Sequence, residues 1–200
     1  MPKHPMKTAL ALGLASAALS GCVSFGSKPP PQLLTLSADS RPATGTSLTS
    51  DNAPSLTVVT PDVPRKIDNV RVPVQVDATT VAYVKNAQWA EAPRLMFQRM
   101  LIETIAADGT VFVLSDGQYA VKPGRRLMGE LLDFGVDARS KEAVVTFDAI
   151  LSSGEGRPAL RQRFSARMPV RKIDAKEVAA PLNRAANEVA AQVTAWVKAN

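Results

Sequence analysis

Leu19-Ser20-Gly21-Cys22 is the stretch of this 200-residue chain whose residue types and order specify a chemical reaction. The only cysteine follows small residues at the end of an apolar run, the pattern of a bacterial lipobox. The expected chemistry is acylation of the Cys22 thiol and cleavage of the Gly21–Cys22 bond. Residues 1–21 are then a lipoprotein signal peptide, and Cys22 is the first residue of the mature chain. Lys3, His4 and Lys7 form the basic leader, and Thr8 to Leu19 is the apolar run. That run is shorter than the roughly 20 residues that span a bilayer. One acyl chain holds a protein only reversibly, at about 0.8 kcal/mol per buried methylene. Lipobox processing attaches several chains, so the anchor is effectively permanent. Val23 stands where an Asp would retain a lipoprotein at the inner membrane, which points to the outer membrane with the domain facing the periplasm.

The same reading removes most other chemistry. Processing leaves 179 of 200 residues, enough for one domain with a core, and loss of Lys3 and Lys7 lowers the formal charge from +6 to +4. The only histidine, His4, leaves with the signal segment, and the only cysteine carries lipid. Ser-His-Asp triads, Cys-His pairs, His-ligated zinc and internal disulfides are thereby excluded. No GxSxG, SxxK or GxxxxGK[ST] motif is present. Glu91, Asp133, Asp137 and Asp148 form no evident acid/base couple. The expectation is a non-enzyme with no cofactor and no metal. The modest, dispersed positive charge excludes a nucleic-acid partner and leaves room for anionic membrane lipids.

What remains are recognition residues. Arg161, Arg163 and Arg167 alternate on one strand, continued by Arg171. They offer a surface for lipid headgroups or an acidic partner. The plainer reading, a solvated sheet face paired with Asp133, Asp137 and Asp148, is favoured. Trp89 precedes the first helix; it is read first as a core plug and second as a partner hot spot. With Glu91 and Arg94 it marks the candidate docking surface. Leu95 and Ile102 lie off the main apolar face of that helix, and the pattern leaves burial and an exposed patch equally open.

The elements that position these residues read as follows. Residues 22–31, with Pro29-Pro30-Pro31, form a tether. The domain runs over 32–200. Gln32 to Leu36 is a first strand, and 37–54, rich in Ser, Thr, Ala, Asp and Pro, is a mobile loop. Leu56 to Thr60, Arg71 to Val76 and Thr80 to Val84 read as strands, with Pro73 implying an edge. Ala92 to Ala107 is a helix with Pro93 in its first turn and Phe97, Met100, Leu101 and Ile105 on one face, stopped by Asp108-Gly109. Thr110 to Leu114 is a strand, and Pro123-Gly124 a turn. A meander follows over 126–137, 143–151 and 158–168. It buries Leu132, Phe134 and Val136, then Val145, Phe147, Ala149 and Leu151, then Leu160, Phe164, Ala166 and Met168. Ser152 to Gly156 is its hairpin loop. The last helix starts near Asp174, where Asp174 and Glu177 suggest a capping box, and Pro181 either kinks it or marks its regular start. Leu182, Ala186, Val189, Val193 and Trp196 form its stripe. The resulting class is α+β: an antiparallel sheet with two helices packed on one face.

The start Leu33-Leu34-Thr35-Leu36, the stretch Val81-Ala-Tyr83 and the run Gln88-Trp89-Ala-Glu91-Ala-Pro93-Arg94-Leu95-Met96-Phe97-Gln98 form one ordered pattern. With the meander and the final Ala195-Trp196-Val197 it resembles the ABC-type transport auxiliary lipoproteins (PqiC-like), over about residues 32 to 198. Many members open with a Tyr-x-Leu strand, where this chain has Gln32-Leu33-Leu34. The resemblance implies an outer-membrane lipoprotein docked on a periplasmic MCE-domain protein and, through it, on an ABC permease and ATPase. Such systems move phospholipids or other hydrophobic molecules between the two membranes. Homo-oligomerisation stays open. Three rival readings remain at this point: an assembly factor or plug for a lipopolysaccharide-export barrel, an envelope enzyme without histidine, and a structural envelope lipoprotein.

Overall fold

The structure, a computed structural model, describes residues 32–51, 53–118, 124–153 and 158–200. The signal segment, Gly21, Cys22 and the tether of 22–31 lie outside the described residues, as do Pro123 and positions 154–156 of the hairpin loop.

Seven strands build one sheet around β5 (Arg125–Asp137), whose thirteen residues carry three partners. Along one edge it pairs antiparallel with β6 (Glu142–Ser152), which pairs antiparallel with β7 (Leu160–Pro169). The other edge is shared. The first residues of β5 take β1 (Ser55–Val58) and its last residues take β2 (Arg71–Gln75), both in parallel. Outside these, β3 (Val81–Gln88) pairs antiparallel with β2, and β4 (Phe112–Ser115) pairs parallel with β1. The α+β class therefore holds, while the expected all-antiparallel sheet is mixed. The reason is physical: period-2 alternation reports which face is buried and carries no strand direction. Here β1 and β4 are joined by a long crossover containing α1 (Pro93–Ala106), as parallel pairing requires.

Helix α1 begins at Pro93, whose missing N–H is not needed in the first turn. It ends where Gly109, at φ 69°, returns its N–H to the Ala106 carbonyl at 3.0 Å. Helix α2 (Ala175–Ala199) is capped by Asp174, whose carboxylate accepts the Lys176 and Glu177 N–H groups at 3.1 and 3.0 Å. The capping box stays half-made, because the Glu177 carboxylate pairs with Arg171 instead. Pro181 lies inside a helix that runs on through it.

Both helices lie on one face. Phe97 of α1 meets Phe147 and Phe134 edge-on at 5.4 and 6.4 Å, and Trp196 of α2 rests on Phe164 at 5.6 Å. Leu182, Ala186, Val189 and Val193 of α2 are fully buried. The stripe of β6 (Val145, Phe147, Ala149, Leu151) is buried as expected.

Four local expectations fail, and one left open by the sequence is settled. Gln32–Leu36 is no strand: Leu34 makes a single bridge to Trp89. Pro73 is not at an edge, since β2 lies between β3 and β5. It sits where the β2–β3 register shifts, the interior site a proline tolerates. In β5 a register shift between Leu131 and Asp133 puts Leu131 in the core in place of Leu132. Leu160, at the start of β7, is exposed. Of the two ambiguous α1 residues, Leu95 is exposed and Ile102 packs partly against the core.

Candidate docking surfaces

The candidate residues fall on two separate parts of the fold. The first is the junction of β3 and α1. Trp89 follows β3, its backbone N–H bonded to the Val70 carbonyl at 2.7 Å, and its ring lies edge-on to Phe134 at 5.4 Å. At 1% exposure it props the junction from beneath and offers no surface of its own. Glu91 and Arg94, on the turn and first helical residues, are the outward members. Glu91 makes a bidentate pair with Arg99, one arm at 2.9 Å, which holds its carboxyl below the usual range and raises the Arg99 guanidinium. Arg94 stands 3.7 Å from Asp68. Among the described residues, two buried side-chain nitrogens have no hydrogen-bond partner, and both belong here: Trp89 Nε1 and Arg94 Nε. Nearby, the Arg71 guanidinium lies 3.7 Å over the Tyr83 ring.

The second part is the sheet face that carries no helix. Asp148 of β6 is opposite Arg163 of β7 in register. Its buried carboxylate receives Arg161 through Nε and Nη2, at 3.0 and 2.9 Å, and Arg163 at 2.6 Å. Those bonds, Arg161 first, hold its pKa down to about 2. Arg167 lies 3.1 Å from Glu142 and 3.9 Å from Asp137. Asp133 takes Lys66 at 2.7 Å in place of an arginine. Between Asp133 and Asp137 lies Gly135, where a Cβ would stand 2.4 Å from the Pro73 carbonyl oxygen. The bare backbone leaves a groove of about 140 Å³, bordered by Lys66, Pro73, Val144 and Arg167.

The arginine stripe is thus a paired face, three cations on three acids, and among the described residues no ion pair joins it to the β3–α1 junction. Gly21 and Cys22 lie outside the described residues. The sequence reading passed over Asn183 and Asn187, which tie the segment after Leu36 to α2. Their i, i+4 spacing on a helix was the one signal for them. Among the described residues no helix is long and apolar enough to cross a membrane.

The sequence model of ABC-type transport auxiliary lipoprotein components matches residues 34–194. Among solved structures the chain is similar to a Xanthomonas campestris protein of the DUF330 family. That match has a TM-score of 0.70 and 18% identity, over 83% of this chain and 94% of that one. It is also similar to an uncharacterised protein, with a TM-score of 0.64 and 14% identity, over 83% and 99% of the two chains. Identity at that level carries the fold alone. No curated protein matches the sequence.

Proposed function

The chain belongs to the family of ABC-type transport auxiliary lipoprotein components, and on that premise we propose that it is a non-enzymatic, outer-membrane subunit of an MCE/ABC-type system. That system moves phospholipids or other hydrophobic molecules between the inner and outer membranes. Cys22 holds the protein to the membrane, the tether over 22–31 sets its stand-off, and the domain faces the periplasm. Its partner is a periplasmic MCE-domain protein and, through it, the permease and ATPase.

The observation that carries this reading is the family match over nearly the whole domain, preceded by a lipobox. Two features agree with it. The open sheet face offers half-exposed guanidiniums on a rigid strand, suited to steering a charged partner. The β3–α1 junction carries Glu91, Arg94 and exposed Leu95, and exposed Leu33 precedes the bridge from Leu34 to Trp89, an apolar and ionic mixture typical of a docking rim.

The test is a crosslinking pull-down of the lipidated protein from membranes, identified by mass spectrometry. Recovery of an MCE-domain protein with its permease is the expected result. Recovery of an outer-membrane barrel alone would replace this reading with that of a barrel assembly factor. Recovery of neither would leave a structural lipoprotein.

A further inference from the structure

Residues 37–39 are held to α2 by side-chain amides spaced one helical turn apart. Asn183 Oδ1 accepts the Ser37 N–H at 2.9 Å, and Asn187 Oδ1 accepts the Asp39 N–H at 2.8 Å. Asn187 Nδ2 donates to the Ser37 carbonyl at 2.9 Å. The two asparagines thereby supply donor and acceptors in the order that a neighbouring β-strand would supply them. Ala38 is pressed inward at 5% exposure, and Arg41 closes over the segment with bonds to Ser37 Oγ and the Ala38 carbonyl. The strap crosses the groove between the helices, and a cavity opens on each side of it. One, of about 130 Å³, reaches Met96 and Met100; the other, of about 300 Å³, reaches Thr104, Met168 and Ala191. Ala38 belongs to the buried core and Leu36 packs partly against it, so the strap is held by those main-chain bonds together with this small apolar contact. Upstream, Leu34 adds one bridge: its carbonyl accepts the Ala90 N–H, and its own N–H donates to the Gln88 carbonyl. Downstream, described residues 40–51 and 53–54 carry no helix or strand.

We infer that the Asn183–Asn187 pair is a releasable clip that sets how far the domain reaches from its membrane anchor. With the clip engaged the first fixed residue is Leu34, twelve residues after Cys22, and the chain between them spans at most about 40 Å. With the clip and the Leu34 bridge both released the first fixed residue is Ser55 of β1, thirty-three residues after Cys22, and the limit rises to about 110 Å. Tension on the anchor enters at Leu34 and reaches Ser37 and Asp39 in turn, so the clip opens as a zipper while sheet and helices stay intact. The reach half of this inference rests on the lipid anchor proposed above; the clip itself does not.

The experiment uses the full lipidated chain in nanodiscs of phosphatidylethanolamine and phosphatidylglycerol, wild type against Asn183→Ala/Asn187→Ala. Amide exchange at Ser37 and Asp39 should be at least tenfold faster in the variant, with Val145 and Phe147 unchanged. A dye on Ala195→Cys should move away from a membrane dye by about 10 Å on average. Because the helix substitutions also touch α2, Ser37→Pro/Asp39→Pro, which removes the two strap N–H donors and leaves α2 intact, should reproduce the dye shift. Equal protection of Ser37 and Asp39 in wild type and in Asn183→Ala/Asn187→Ala overturns the clip. Faster exchange with an unchanged dye distance overturns the reach. A chain that fails to associate with the nanodisc overturns the anchor and the reach together, while the exchange comparison still decides the clip.

Discussion

The covered face of the sheet is dry and the open face is ionic, although β5, β6 and β7 build both. Toward the helices they present Leu131, Phe134, Phe147 and Phe164; away from them they present Asp133, Asp148, Arg161 and Arg163. A large apolar side chain contributes about 1.5–3 kcal/mol on burial. An exposed ion pair contributes about 0–1 kcal/mol. Fold stability therefore resides on the helix side, and the other side is free to change its charges for recognition without losing the fold.

The comparison breaks first if the dry side is not dominant. Phe134 touches both Trp89 and Phe97, so Phe134→Ala should cost about 3–5 kcal/mol in urea unfolding. A loss under 1 kcal/mol would show that the aromatic cluster does not hold the sheet to α1. The next test probes an exception on the open side. Gly135→Ala must push apart β5 and β2 at the Pro73 carbonyl, and should cost about 1–3 kcal/mol although the new methyl lies away from the core.

A third test measures the strongest ionic element. Asp148 is buried, but its two arginines are more than half in solvent, so Asp148→Asn should cost only about 1 kcal/mol at pH 7. The sign with pH is fixed. The folded pKa of about 2 lies below the unfolded value of about 3.9, so this stabilisation is fully present above about pH 4 and disappears as pH falls through about 2. The gap between wild type and variant should close over that window in urea titrations. A gap that persists at pH 2 would mean that packing, not charge, is what Asp148 supplies.

The sequence showed the dry face far better than the rest, and the reasons are local. In β6 nothing interrupts the alternation, so Val145 to Leu151 read correctly. In β5 the shift at Leu131–Asp133 moves one residue across the sheet, and a composition pattern cannot see it. Pro73 misled for the same reason, since a register shift makes room for it inside the sheet. Strand direction left no trace in alternation. At the candidate surfaces, the types of Glu91, Arg94 and the arginine stripe were visible, while their pairings with Arg99, Asp68 and Glu142 depend on contacts distant in sequence or across strands. Asn183 and Asn187 went unnoticed, because the strap they hold lies about 150 residues away in sequence.

The smallest effect on stability is the most informative about recognition. Glu91 and Arg99 are both partly exposed to water, so Glu91→Gln should change unfolding free energy by less than about 0.5 kcal/mol, and less again at high salt. Arg99 holds the Glu91 carboxyl below its usual range, so the residue is charged at neutral pH in folded and unfolded chains alike, and its charge is available to a partner. Arg167→Gln on the open face should be comparably mild, since Arg167 shares two acids and is half exposed. Crosslinking yield to the partner then separates the surfaces. A fall with Glu91→Gln alone places docking at the β3–α1 junction, and a fall with Arg167→Gln alone places it on the ionic face. Unchanged yield with both would mean that neither charge takes part, and that the apolar Leu33 and Leu95 at the junction are the next residues to change.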